Sequence, residues 1–176
     1  MATGQGSDRR AERAPPSGDK PAVELSVERV THQDIPAICS LYKKVWEAEN
    51  GLPGELLKAW QPGPLEFTSW MEGVTYFAAR RGGHLVGIVG CEPRHGTFRI
   101  VHLAVEPEAR RQGVGRALLT QVIEWVRRSN GSSLWADPLS RFQAAGALFR
   151  KLGFAEGGVL HKHEWGEDVR LFERVL

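Results

Sequence analysis

The spacing of hydrophobic and polar positions changes several times along this chain, and each change marks a predicted element. From Val23 the run V-E-L-S-V-E-R-V alternates, which predicts a strand. Apolar residues then recur at helical spacing after Thr31, a residue suited to cap a helix. The predicted core positions of this helix are Ile35, Ile38, Leu41, Tyr42 and Val45.

Residues 51–73 give a weaker signal because G-L-P-G and Q-P-G-P interrupt short helical stretches. The segment carries Trp60, Phe67 and Trp70, and two interpretations stay open. Aromatic residues in such a connection either wall a cleft or pack on the core. We favour packing on the core.

The rest of the chain alternates between strand and helix patterns. Residues 74–105 predict three antiparallel strands joined by turns at R-G-G and R-H-G. An amphipathic helix, the short strand S-S-L-W-A, a second helix ended by Gly153, and two strands around the turn G-E-D follow. The first of these helices has its apolar face at Leu118, Leu119, Val122, Ile123 and Val126. The pattern predicts an α/β fold with a mostly antiparallel sheet.

Composition indicates one globular domain preceded by a tail. The 176 residues are 41% hydrophobic and 25% charged, which is enough to build a core. Residues 1–22 are rich in Gly, Pro and Ser and have no large apolar residue after Met1, so we expect a disordered tail. Residues 23–176 are expected to form a single domain.

Charge and cysteine content narrow the function class. The formal net charge of +2 does not suggest a nucleic-acid binder, and no apolar run reaches the roughly 18 residues of a membrane span. Cys39 and Cys91 lie far apart in apolar patterns, which predicts buried free thiols and a cytoplasmic protein without a disulfide or metal framework.

The stretch V-E-P-E-A-R-R-Q-G-V-G-R-A-L-L, residues 105–119, is the strongest candidate for chemistry. Two glycines let a backbone approach a ligand, and the N-terminus of a helix offers free N–H groups to an anion. A dinucleotide fingerprint would require a third glycine where Leu118 stands, and a phosphate loop would require Lys followed by Ser or Thr. A protein that binds a nicotinamide dinucleotide is therefore the least favoured of the interpretations considered.

The motif R-x-x-G-x-G after Pro107, together with L-F-R-K-L-G-F at 148–154, resembles the GNAT superfamily of acetyl-CoA-dependent N-acetyltransferases. The resemblance implies a GNAT-like fold, a central twisted sheet of about seven strands flanked by about four helices. It also implies acetyl-CoA as acyl donor, no metal, and a small-molecule or peptide amine as acceptor. Homodimers are common in the family, so a homodimer is also considered.

The resemblance assigns cofactor contacts to three segments. Backbone N–H groups of the loop would bind the pyrophosphate, the edge of the preceding strand would pair with the pantetheine arm, and the second helix would flank it. The alternative is a glycine-rich turn with solvated arginines. The predicted cofactor residues are Arg110, Arg111, Gln112, Gly113, Val114, Gly115 and Arg116, then Leu103, Ala104 and Val105, then Phe142, Ala145 and Phe149.

The catalytic side chains are less clearly marked. The family's usual proton-donor Tyr is replaced by Phe149, and its frequent Asn in the same helix by Phe142. Ser140 could donate the proton instead, directly or through water, although we favour local backbone bonds at the helix start.

His102 is the candidate general base because imidazole accepts protons near neutral pH. Strict alternation would place it on one face of its strand with Ile100 and Ala104, and a bulge would exchange the faces. A buried histidine that only makes a hydrogen bond is an equally good interpretation.

Two further groups are weighed. His161 and His163 share a strand face and suggest a metal with Glu164, but Glu164 points to the other face, so an exposed strand is favoured. A cluster near the end of the first helix could attract a cationic acceptor or form an ordinary solvated face, and comprises Glu47, Glu49 and Glu55.

The sequence therefore predicts an N-acetyltransferase with an unidentified amine acceptor. The alternative from another class is an acyl-CoA-binding regulatory module with little or no transferase activity.

Overall fold

The computed structural model describes residues 24–176, so the predicted tail lies outside the described residues. Within residues 24–176 seven strands form one sheet in the order β1-β2-β3-β4-β5-β7-β6. The strands are β1 Leu25–Arg29, β2 Thr75–Arg81, β3 His84–Arg94, β4 Thr97–Val105, β5 Ser133–Ala136, β6 Ala155–Glu164 and β7 Glu167–Val175. Among them only β4 and β5 pair in parallel.

Five α-helices accompany the sheet in the described part of the chain. They are α1 Ile35–Glu47, α2 Gly54–Ala59, α3 Pro64–Gly73, α4 Val114–Arg128 and α5 Gln143–Lys151. Single 3₁₀ turns stand before α1 and after β4. The predicted fold class is confirmed, and the fifth helix arises because both short stretches of residues 51–73 are helical.

The helices pack on the two faces of the sheet. The predicted apolar positions of α1 and α4 are all buried, which confirms the helical periods found in the sequence. Helices α4 and α5 cover one face of the sheet, where they pack on the strand residues Phe77, Leu134 and Phe172. Helices α1 and α3 cover the other face and pack on Tyr76 and Ile88.

The last hairpin turns one step earlier than predicted. Trp165 and Gly166 form the turn, and Glu167 already belongs to β7, so the predicted turn at G-E-D is wrong in position. The two other predicted hairpin turns lie where the sequence placed them, at Gly82–Gly83 and His95–Gly96. All three are two-residue turns with positive φ at both positions.

The sheet opens between β4 and β5. Their parallel pairing covers only three residues of each strand, ending at Ile100 and Ala136, while β4 continues to Val105 against β3. Beyond Ile100 the β5-facing edge of β4 has no strand partner among residues 24–176. Backbone donors and acceptors are therefore exposed along a cleft in the middle of the sheet.

Candidate active site

The predicted anion cradle lies at the end of this cleft, in the loop that enters α4. Gly113 is the residue before the helix and has φ +84°, a left-handed conformation that glycine adopts without steric cost. No side chain caps α4, so the first N–H groups of this 15-residue helix have no side-chain partner. An uncapped helix start flanked by arginines fits a pyrophosphate.

Three side chains hold the loop in this shape. Arg81 of β2 donates to the side chain of Gln112, and Gln112 Nε2 donates to the carbonyl of Glu108 at 2.6 Å. Arg110 Nε donates to the carbonyl of Val105 at 3.2 Å, and its guanidinium lies 2.9 Å from a carboxylate oxygen of Glu49. The loop is thus tied both to the sheet and to the segment that follows α1.

The two glycines of the motif have different surroundings. A Cβ built at Gly113 would meet open space, as expected for a position facing a ligand. A Cβ at Gly115 would lie 3.0 Å from Cδ2 of Leu148, so this glycine allows α4 to approach α5 closely.

A cavity of about 350 Å³ occupies the cleft where β4 and β5 part. Five predicted site residues line it, and they come from β4 and from α5 with its N-terminal flank. They are His102, Leu103, Phe142, Ala145 and Phe149. Phe149, at the position of the family's usual tyrosine, is 2% exposed.

His102 lies at a bulge of β4 and has φ +54°. Its ring stacks on Trp70 with centroids 4.2 Å apart, and its Nδ1 lies 2.6 Å from the hydroxyl of Tyr76. Tyr42 donates to the His102 carbonyl at 3.0 Å. The bulge places this ring on the α1 and α3 side of the sheet, opposite Ile100, so strict alternation is wrong here.

Burial controls the protonation of this histidine. Desolvation, with a smaller contribution from the positive charge of Arg99, lowers the pKa of His102 to about 4. The imidazole is therefore neutral at physiological pH. Burial also keeps its neighbour protonated, because it raises the pKa of Tyr76 far above the usual value.

Ser140 does not join this cavity. It lies before α5, next to a separate pocket of about 10 Å³, and its backbone N–H donates to the carbonyl of Asp168 at 2.7 Å. Its buried Oγ has no hydrogen-bond partner in the described part of the chain. The structure therefore separates the two predicted catalytic residues.

The predicted acidic cluster is largely neutralised by ion pairs. Glu47 pairs with Lys43, Glu55 with Lys58, and Glu49 with Arg110 of the cradle. Glu49 thus connects the segment after α1 with the cradle.

The two strand histidines are also placed by the structure. His161 Nδ1 lies 3.1 Å from a carboxylate oxygen of Asp168, and the strand that carries both histidines is exposed. Residues 24–176 contain no group of three or more side chains able to hold a metal ion. In the same range no helix is long and apolar enough to cross a bilayer.

Sequence reasoning missed much of the cavity wall. Arg99 makes two hydrogen bonds to Asp137, at 3.0 and 2.5 Å, and both residues line the cavity with Trp46 and Glu164. Asp137 directly follows the buried strand β5, a position that could have marked it. The other contributors are brought together only by tertiary packing.

Comparisons with known proteins identify the family to which this fold and cavity belong. The sequence profile of the acetyltransferase (GNAT) family matches residues 35–154, from α1 through the cradle and α5. The chain therefore belongs to the GNAT family of acyl-CoA-dependent N-acetyltransferases, and the family resemblance drawn from the sequence is confirmed.

Two curated relatives are N-acetyltransferases. The [ribosomal protein bS18]-alanine N-acetyltransferase of Escherichia coli K12 is 37% identical over 71 residues, covering 40% of this chain and 48% of the relative. Human N-acetyltransferase 8B is 30% identical over 105 residues, covering 56% of this chain and 46% of the relative. The chain thus spans about half the length of these curated relatives.

Solved structures extend the similarity to the whole fold. A ribosomal-protein-alanine N-acetyltransferase from Brucella melitensis superposes with a TM-score of 0.74 at 26% identity, covering 86% of this chain and 99% of that one. The PaiA N-acetyltransferase of Thermoplasma acidophilum, solved with coenzyme A, gives 0.73 at 11% identity, covering 87% and 99%. The second likeness concerns the fold alone.

Proposed function

We propose that this chain transfers the acetyl group of acetyl-CoA to a primary amine, with residues 23–176 acting as one catalytic domain. The observation that carries the proposal is the continuity of two features along β4. The uncapped start of α4 lies at one end of the open strand edge, and the cavity containing His102 lies along that edge. Relatives named as a [ribosomal protein bS18]-alanine N-acetyltransferase and as an N-alpha-acetyltransferase support an α-amine of a peptide as one acceptor.

The cradle fits the phosphates of coenzyme A. Backbone N–H groups from Arg111 to Arg116 would bind the pyrophosphate, aided by the helix dipole and the arginine charges. The open edge of Leu103, Ala104 and Val105 would pair with the amides of pantetheine, as an added strand does. Ala145 and Phe149 would flank the arm from α5.

Acetyl-CoA, when bound, supplies an acetyl thioester: the amine forms the C–N bond of an amide, the C–S bond breaks, and the proton lost by the amine balances the departing thiolate. The chain's own residues have to remove that proton and stabilise the carbonyl oxygen. A backbone N–H on the open edge near Leu103 would donate to that oxygen.

His102 is the proposed proton acceptor. Its neutral ring can accept a proton at Nε2 if Nδ1 carries the hydrogen and donates it to the oxygen of Tyr76. A base with a pKa of about 4 does not deprotonate a free ammonium ion, but the amine nitrogen becomes strongly acidic as its bond to carbon forms. The acceptor amine therefore has to react from its neutral form.

No hydroxyl stands at the family's usual proton-donor position, because Phe149 occupies it. A thiolate is a good leaving group, so departure does not require this donor. We place the reaction in the cytosol, where the free thiols of Cys39 and Cys91 stay reduced.

The test is acetyl transfer itself. Purified protein is incubated with acetyl-CoA and primary amines, and the product is identified by the mass of one added acetyl group together with free thiol. Wild type should form the amide, and His102→Asn should lower kcat about 100-fold while retaining acetyl-CoA affinity. Thiol release without any acetylated amine would contradict the proposal.

A further inference from the structure

One side of the cavity has an aromatic wall. Trp46 of α1, Trp60 after α2 and Phe142 before α5 contact one another, with ring centroids 4.6, 6.0 and 6.2 Å apart. All three line the cavity, and Trp70 lines it beside His102. Rings at these spacings present faces and edges on which another planar ring can stack.

The charges around the cavity leave one carboxylate without a direct ion pair. Arg99 and Asp137 neutralise each other through two hydrogen bonds, and His102 is uncharged. Glu164, at the end of β6, lines the cavity, and its side chain makes no ion pair or hydrogen bond with residues 24–176. It is half-buried, and burial together with the negative charge of Asp137 raises its pKa, while the charges of Arg99 and His163 oppose the rise. The cavity therefore complements a ligand with a single positive charge.

Trp165, next to this carboxylate, occupies a costly position. It is the first residue of the β6–β7 turn with φ +45°, and it lines the cavity while 51% exposed. Such turn positions strongly prefer Asn, Asp or Gly. The corresponding residues of the other hairpins are Gly82 and His95. A large ring held against its backbone preference at a cavity mouth indicates a ligand contact.

We propose that the acceptor is an aralkyl primary amine: an ammonium group close to an aromatic ring, without a carboxylate beside the amine. This inference rests on the proposed acetyl transfer and names its substrate class. Glu164 binds the cationic acceptor on arrival, and the ammonium loses one proton to water before the neutral amine attacks. Trp46, Trp60 and Phe142 hold the acceptor's ring, and Trp165 covers it. A carboxylate next to the amine would be repelled by Glu164, because this side chain makes no direct ion pair and the more distant charges of Arg99 and His163 offset its charge only in part.

The first test compares acceptors that differ by one group. Phenethylamine and phenylalaninamide are both aromatic and cationic, phenylalanine adds only a carboxylate, and butylamine lacks the ring. A Phe-Ala peptide amide separates a peptide source from a small-molecule source. We expect kcat/KM for phenethylamine or the peptide amide to exceed that for phenylalanine and for butylamine at least about tenfold. Equal values across the panel would overturn the proposal.

The second test uses two variants with matched controls. Glu164→Gln should raise the KM for phenethylamine about fivefold and reduce the preference over phenylalanine, while Glu124→Gln, the same change on the exposed face of α4, should not. Acetyl-CoA affinity should be unchanged in both. An unchanged preference in Glu164→Gln would remove this carboxylate from recognition.

Trp165→Asn tests the role of the turn. Asn suits this backbone, so the variant should fold with an unchanged or higher Tm, yet its KM for phenethylamine should rise about fivefold. His95→Asn makes the same change in the β3–β4 turn, which does not line the cavity, and should alter Tm alone. Unchanged KM in Trp165→Asn would refute the covering role.

Binding separates failure of this inference from failure of the proposed function. Quenching of tryptophan fluorescence by phenethylamine in coenzyme A-saturated protein reports the acceptor pocket without any transfer. Binding without acetylation would overturn the transferase proposal and keep the pocket. Acetylation of other amines, with no binding of phenethylamine, would keep the transferase and overturn the substrate class.

Discussion

Replacing His102 should make the protein less sensitive to acid. The folded protein holds this imidazole at a pKa of about 4, against 6.5 for the ordinary side chain. Between these values the unfolded chain binds a proton that the folded protein does not, so stability falls as the pH drops through this window. The groups facing the ring are Trp70, Tyr76 and Arg99, and none is an acid that would offset the effect.

The size of this loss of stability follows from proton linkage between folding and the titration of His102. At about pH 4.5 the unfolded histidine is almost fully protonated and the folded one only about a quarter, which costs about 2.5 kcal/mol of folding free energy. At about pH 7.5 the cost is close to zero. Asn accepts the positive φ of this position and does not titrate, so His102→Asn removes the cost while keeping the backbone.

Urea unfolding of both proteins at these two pH values measures the difference. Wild type should lose about 2.5 kcal/mol more than His102→Asn on acidification, whatever the carboxylates contribute to both proteins. His84→Gln, which removes an exposed histidine of β3, provides the baseline for a histidine substitution. Equal losses in wild type and His102→Asn would refute the burial-based account of this ring.

Three further substitutions probe the cradle and the core. Gly113→Val should weaken coenzyme A binding at least about tenfold in a calorimetric titration. A β-branched residue disfavours φ +84°, and its side chain would project into the space meant for the ligand. Unchanged affinity would contradict this prediction. Arg81→Ala should weaken it about threefold by releasing Gln112, whereas an unchanged Kd would show that the brace is dispensable. Gly90→Ala should destabilise the protein by about 1–3 kcal/mol in urea unfolding, since the new Cβ would lie 2.8 Å from Tyr76. In the control Gly73→Ala the Cβ meets open space, and stability should change by less than about 0.5 kcal/mol. Equal effects of the two substitutions would refute the packing argument.

The sequence predicts this fold well because its helices and hairpins are local patterns. The apolar spacing of α4, the alternation of β2 to β4 and the glycine after α5 each act within a few residues. The motif before α4 carries its own chemistry, so a candidate cradle could be proposed and the family recognised. The helices within residues 51–73 are harder to predict from the sequence because Gly and Pro interrupt the helical pattern.

The cavity could not be predicted in the same way. Trp46, Phe142 and Glu164 are far apart in sequence and meet only because the sheet opens between β4 and β5. The bulge at His102 decides which way the ring points: the ring lies on the side of Ala104, as alternation predicts, but alternation is wrong in grouping it with Ile100. Trp60 shows the limit of the core interpretation, since it packs on Trp46 and lines the cavity as well.

The central claim is that the cradle binds coenzyme A and presents its acyl arm to the cavity. Thermal unfolding with acetyl-CoA, free coenzyme A and NADPH tests this most directly, because a ligand at about 100 times its Kd stabilises by roughly 2.7 kcal/mol. We predict a clear rise in Tm with both coenzyme A forms and none with NADPH. A Tm unmoved by either coenzyme A form, or raised equally by NADPH, would contradict the account.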